Sequence, residues 1–197
     1  MRILVIGASG TIGGAVTEEL ARRGHDVLRG SRTGNVRVDI RDPRSIAAMY
    51  DTLGKLDAVV CCSGAGAFAP LTELTDEQLE STITDKLLGQ VNLVRFGLRN
   101  VTDGGVFVLT SGIFSQKPPP GASALAMANG GVESFVRGAA LDLPRGIRIG
   151  ALSPPFITET AEKIGMPTTG TLPAAQAAQA YADFVEGAET GAVIFPS

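Results

Sequence analysis

Residues that handle protons are scarce in this chain. Its 197 residues include one histidine, two cysteines, two tyrosines and no tryptophan. A lone His25, in the Gly24-His25-Asp26 turn, excludes histidine-based triads and multi-histidine metal sites, so no metal is expected. The cysteines, Cys61 and Cys62, are adjacent, and neighbours rarely meet the geometry of a disulfide. They lie in the apolar run Leu56–Cys62 and read as buried strand residues in a reducing compartment. No apolar run approaches the roughly 18 residues of a membrane span. No basic stripe is present and the net charge is −3, so nucleic acid is not an expected partner. The opening apolar stretch reaches Gly7 too soon to form a signal segment, and a cytoplasmic protein is expected.

What is present is ordinary for a folded domain. Hydrophobic residues make up 44% and charged residues 19%, enough for a sizeable core, and the length favours one domain over residues 1–197. Short β-branched runs alternate with helical patterns. Strands are expected at Ile3–Ile6, Asp26–Arg29, Val36–Ile40, Leu56–Cys62, Val106–Thr110, Ile147–Leu152 and Ala192–Phe195. Helices are expected at Ile12–Arg23, from Pro43 to Leu53, from Ile83 to Arg99, from Ser123 to Leu143 and at Pro173–Val185. Thr75 and Gln78 have the spacing of a capping box. Strands separated by helices imply an α/β fold, a doubly wound parallel sheet of about seven strands with helices on both faces. Ligands of such sheets bind at the carboxyl ends of the strands.

The first strand runs directly into Gly7-Ala8-Ser9-Gly10-Thr11-Ile12-Gly13. Glycines there let the backbone approach a pyrophosphate, and the following helix offers it free N–H groups. In a strand–turn–helix context this points to a dinucleotide. After the second strand comes Arg29-Gly30-Ser31-Arg32-Thr33, with no carboxylate to bond a ribose. Arg32, with Ser31 and Thr33, suits a 2′-phosphate and hence NADP, unless the arginine is merely solvated.

These landmarks, in order, resemble the short-chain dehydrogenase/reductase family over the whole chain. Val38-Asp39-Ile40 resembles the segment where an Asp contacts adenine, and Cys61-Cys62-Ser63-Gly64 stands in place of Asn-Asn-Ala-Gly. Lys86-Leu87-Leu88-Gly89 is similar to Asn-Leu-x-Gly, and Leu109-Thr110-Ser111 to the strand end that carries the family's serine. Ser153-Pro154-Pro155 resembles its Pro-Gly turn. The resemblance implies a Rossmann-like sheet and a cofactor site. That site would include Gly7, Ala8, Ser9, Gly10, Thr11, Ile12, Gly13, Ser31, Arg32, Thr33, Asp39 and Ile40. It would continue through Cys62, Ser63, Gly64, Lys86, Thr110, Pro154 and Ile157.

The family's Tyr-x-x-x-Lys does not align. Leu125 falls at the tyrosine and Asn129 at the lysine, while the family's helix asparagine is replaced by Lys86. This looks like an exchange of lysine and asparagine, and it resembles an atypical subgroup of small reductase-like proteins. Ser111 precedes Leu125 by one residue more than the family interval, which would select Gly112; its Thr-Ser context favours Ser111. The expected catalytic set is Ser111, Lys86 and Asn129. Lys86 would sit near nicotinamide ribose or the substrate oxygen, unless it points to solvent or a main-chain carbonyl. The implied activity is NADP(H)-dependent oxidoreduction of a small carbonyl or alcohol. The alternative is an NADP(H)-binding protein without redox turnover: a sensor, a partner subunit or a non-redox enzyme. The apolar helix Leu87–Phe96 and the Gly/Ala-rich helix after it imply a homodimer or homotetramer. Phe156–Leu172, with its glycines and Pro167, suggests a mobile lid over the substrate.

Overall fold

The computed structural model describes all residues, Met1–Ser197. Seven strands form one parallel sheet in the order β3-β2-β1-β4-β5-β6-β7. They are β1 (Arg2–Ile6), β2 (Asp26–Ser31), β3 (Val36–Arg37), β4 (Leu56–Cys61), β5 (Val101–Thr110), β6 (Arg148–Leu152) and β7 (Val193–Ile194). The helices are α1 (Thr11–Arg22), α2 (Pro43–Leu53), α3 (Asp76–Thr82), α4 (Gly89–Gly97), α5 (Ser123–Asp142), α6 (Thr158–Lys163) and α7 (Ala174–Glu186). A π-helical stretch, Ile83–Leu88, joins α3 to α4.

Strand alternation sorts the core into two layers. Leu4, Ile6, Val59, Cys61, Phe107 and Leu109 face α2, α4 and α5. Ile3, Val5, Ala58, Val60, Val106 and Val108 face α1 and α7. Because both faces are covered, the strands read as continuous apolar runs. Chain order reverses between β1 and β4, which pair in parallel with Ile6 opposite Cys61. The loops after these two strands therefore splay apart and open a crevice at their carboxyl ends.

Local chemistry fixes the element ends. Asp42 caps α2 by accepting from the Arg44 amide, with Pro43 at the first helical position. Thr75 and Gln78 form a reciprocal capping box on α3. The long helix therefore begins at Asp76, seven residues before the expected Ile83, and runs through the π stretch. β5 starts at Val101 rather than Val106. The polar Thr102-Asp103-Gly104-Gly105 stretch reads as a turn, yet it lies within the strand, where the register with β4 shifts between Leu56 and Ala58. β3 is only two residues long, against the expected Val36–Ile40. Beyond Arg37 the Asp39 amide turns to Ser45 Oγ and leaves the sheet.

The segment expected as a mobile lid contains α6. Its ends pair through an Ile157–Leu172 bridge, and the Thr158 and Thr171 hydroxyls bond at 2.8 Å. No helix is long and apolar enough to cross a membrane. His25 bonds Glu186 Oε1 at 2.9 Å in a surface ion network, far from the carboxyl ends of the strands.

Candidate active site

Two clefts meet at the crevice and share Cys62, Gly64 and Ala65. The first, about 390 Å³, is walled by the glycine loop and the ends of β2 and β3. Gly7 has φ +81° and donates its amide to Gly30 O at 2.9 Å; Gly10 donates to Gly7 O at 2.9 Å. A Cβ on Gly13 would stand 2.1 Å from Gly7 O, so only glycine lets α1 start this close under the loop. No side chain caps α1, whose first N–H groups remain free for an anion. Gly7, Ser9, Gly10, Ser31, Arg32, Asp39, Ile40, Cys62, Ser63 and Gly64, all named above for the cofactor, line this cleft. Ala8, buried, belongs with Ser9 and Thr33 to a neighbouring groove. Thr33 therefore stands outside the cleft, and the Ser31 hydroxyl is turned to the Thr33 carbonyl rather than to a ligand. Thr11 and Gly13 line neither cleft; they shape the start of α1.

Asp39 does not present a free carboxylate. Arg41 grips both of its oxygens, at 2.9 and 2.6 Å, and this bonding holds the Asp39 carboxyl below the usual range. Arg41 thus stands beside Arg32 on the cleft wall, a second cation that the sequence reading missed.

The second cleft, about 440 Å³, holds Ile12, Lys86, Thr110, Ser111, Leu125, Asn129, Pro154 and Ile157, with Ile113, Phe114 and Phe156 as apolar walls. Lys86 projects from the π-helical stretch, a geometry often found at functional sites. It is 6% exposed, its Nζ donates to the Ser111 carbonyl at 3.2 Å, and no carboxylate pairs with it. Burial pushes its ammonium pKa down from 10.5, outweighing the pull of the nearby Cys61, Asp85 and Cys62. The lysine therefore lines the cleft and also bonds a main-chain carbonyl. An ammonium has three hydrogens, so two remain for a ligand. Asn129 is buried, and its Nδ2 donates to Gly112 O at 3.3 Å. Its Oδ1 is a buried acceptor with no partner.

Gln90 holds this wall together. Its amide accepts from Thr110 N at 2.8 Å and donates to Thr110 O at 2.8 Å and to Lys86 O at 2.9 Å. It thereby ties the helix that carries Lys86 to the strand end that carries Ser111. The Thr110 hydroxyl, expected at the cofactor, is instead committed inward to Cys61 O and Tyr181 Oη. Burial pushes the Cys61 thiol up to about 12, and raises Cys62 as well, so neither offers a ready thiolate.

The family described as enoyl-(acyl carrier protein) reductase, of short-chain alcohol dehydrogenase type, matches residues 12–195. The chain belongs to the short-chain dehydrogenase/reductase family. The short chain dehydrogenase claC of Passalora fulva is 27% identical over 161 residues, 69% of this chain; that match spans only 60% of claC. The protein lin1944 of Listeria innocua, a crystal structure, is 44% identical with TM-score 0.94 over 99% of this chain and 98% of its own. A small-chain dehydrogenase solved in complex with NADPH is 24% identical with TM-score 0.89 over 99% and 95% of the two chains, and shares the fold.

For a short-chain dehydrogenase/reductase, the tyrosines of this chain are oddly placed. Tyr50 is buried, donates to Leu93 O at 2.9 Å, and has its pKa pushed up by burial. Tyr181 is fully buried under Thr110. Leu125 lines the second cleft, which no tyrosine or histidine reaches. A nicotinamide dinucleotide fits what is present: glycines where a Cβ would intrude, an uncapped helix start, two arginines, and a buried Asn129 Oδ1 left without a partner. Sequence reasoning passed over Gln90 and Glu133, both ordinary helix residues whose partners lie on other elements. Their charge or polarity within otherwise apolar helix faces was the one available signal.

Proposed function

We propose that the protein is an NADP(H)-dependent oxidoreductase acting on a small carbonyl or alcohol, with a non-standard active site that keeps the family's serine as Ser111 and uses Lys86 where the tyrosine and lysine are missing. One observation carries the reading. A buried lysine, a serine and an unpartnered asparagine oxygen meet in one cleft, next to a glycine loop built for a pyrophosphate. When bound, the cofactor supplies or accepts the hydride. The glycine loop and the start of α1 hold the pyrophosphate, and Arg32 with Arg41 receives a 2′-phosphate. Asn129 Oδ1 accepts from a ribose hydroxyl. Lys86 directs its two free ammonium hydrogens at the substrate oxygen, where charge develops. Its lowered proton affinity also eases transfer of a proton to the substrate oxygen. The apolar walls from Ile113, Phe114, Leu125 and Phe156 exclude water.

Fluorescence titration with NADPH and NADH, followed by NADPH oxidation across a carbonyl panel, tests this. NADPH is expected to bind at least about tenfold tighter than NADH, since phosphate–arginine bonds are charge-assisted. Lys86→Ala is expected to lose turnover while keeping NADPH affinity. Equal affinity for the two cofactors overturns the role of Arg32 and Arg41. The absence of tyrosine from the cleft favours a second reading, cofactor binding without turnover; tight NADPH binding with no carbonyl reduced and no alcohol oxidised would select it.

A further inference from the structure

Glu133 is a buried carboxylate, 4% exposed, that the reading above does not use. It lies on α5 one turn beyond Asn129, and it collects the hydroxyls of three serines, two from the segment after β5 and one from the end of β6. Ser111 Oγ donates to its Oε1 at 2.7 Å, Ser115 Oγ at 2.6 Å and Ser153 Oγ at 3.2 Å. The Arg137 guanidinium, half exposed, lies 3.8 Å from Oε2. The other neighbour of Ser111 Oγ is the Asn129 carbonyl at 3.2 Å, which can only accept. A hydroxyl has one hydrogen, and both neighbours of Ser111 Oγ in the wall are acceptors. Its hydrogen is therefore spent inside the protein. What Ser111 keeps for a ligand is an acceptor lone pair.

We infer that Glu133 is a positioning residue that turns Ser111 into a hydrogen-bond acceptor, so that the cleft selects a hydroxyl ligand, an alcohol, over the matching carbonyl. The inference rests on the reading of this cleft as a dehydrogenase site and names the form of substrate it holds better. An alcohol oxygen accepts from Lys86 and gives its own hydrogen to Ser111. Lys86 and Ser111 are already joined through the Ser111 carbonyl, so donor and acceptor sit side by side. A carbonyl oxygen has no hydrogen to give, and it meets the Ser111 lone pair unfavourably.

Cyclohexanol and cyclohexanone are an isosteric pair that does not react with the cofactor-free protein. Their binding to that protein is measured by chemical-shift and saturation-transfer titration. The wild type is expected to prefer the alcohol by roughly three- to tenfold, the worth of one hydrogen bond. In Glu133→Gln the amide can donate to Ser111 Oγ and free its hydrogen for the cleft, so the preference is expected to vanish or reverse. Ser111→Ala, a small change at a buried site, removes the acceptor and is expected to abolish the preference even if Glu133→Gln fails to fold. Equal or tighter binding of cyclohexanone by the wild type overturns the inference, as does an alcohol preference that survives in either variant. An alcohol preference in a protein that neither oxidises NADPH with carbonyls nor reduces NADP+ with alcohols would sink the oxidoreductase reading and leave this inference standing. Turnover without an alcohol preference would do the reverse.

Discussion

Replacing Gln90 by leucine keeps its volume and removes its amide, and the consequence can be worked out bond by bond. Gln90 is fully buried, and its three bonds to Thr110 N, Thr110 O and Lys86 O span 2.8–2.9 Å. A buried backbone group stripped of its partner costs about 1–3 kcal/mol. Lys86 O lies in a helix and has other amides near it, so the Thr110 pair dominates, at about 2–6 kcal/mol. The leucine recovers roughly 1 kcal/mol of apolar burial. A net loss of about 3 kcal/mol is expected, which for a domain of this size lowers Tm by about 6–12 °C. Urea unfolding at constant m-value measures it. Amide exchange should localise the damage, with the Thr110 amide accelerated more than that of Val108 deeper in the strand. A loss below about 1 kcal/mol, or uniform acceleration along β5, would refute the view that Gln90 clamps the strand end to the Lys86 helix.

Other outcomes follow from the same coordinates. Lys86 has its pKa lowered in the folded state, so below 10.5 the unfolded chain binds the proton more readily, and stability should rise as pH climbs from the folded value toward 10.5; Lys86→Met should flatten that rise in urea unfolding across pH. Glu19 is held down to about 2 by hydrogen bonds from Arg22 and Arg23, so its contribution is present above 4.5 and lost as pH falls through 2; acid unfolding of Glu19→Gln should lack that component. Gly13→Ala places a Cβ 2.1 Å from Gly7 O and should weaken NADPH binding by on the order of tenfold or more, read by fluorescence titration. Leu88, Met127 and Leu141 are exposed on the helices expected to pair subunits, and light scattering at micromolar concentration should find a dimer or tetramer; a monomer removes that proposal.

Much of the fold was legible because its signals are local. Apolar β-branched runs marked β1 and β4, Pro43 marked the start of α2, and the Thr75–Gln78 box marked α3. Errors fell where tertiary contacts overrode composition. Thr102–Gly105 has the residues of a turn, but Val101 before it and Val106 after it both pair with β4, so it is carried within β5 as an irregularity. Val38–Ile40 has the residues of a strand, but Ser45 takes the Asp39 amide and ends β3. In the site, the glycine loop was readable because a close backbone approach demands glycine. The destinations of the side chains were not. Nothing local says that the Thr110 hydroxyl turns inward, that Arg41 closes on Asp39, or that Ser31 faces Thr33.

The scarcity of proton-handling residues has the same two levels. Sequence alone argued against histidine triads, multi-histidine metal sites and a disulfide, and with the family resemblance it showed the tyrosine missing and put Lys86, Ser111 and Asn129 at the site, because residue identity and spacing suffice for these. Only the tertiary structure decided that burial raises the pKa of both thiols, that Glu133 joins the site, and how its side chains bond. Lys86, Asn129 and Glu133 come from two helices, and Ser111 from a strand end far from both in sequence. Their hydrogen bonds depend on distances of a few ångströms that the packing of helices on the sheet sets, and no spacing along the chain encodes them.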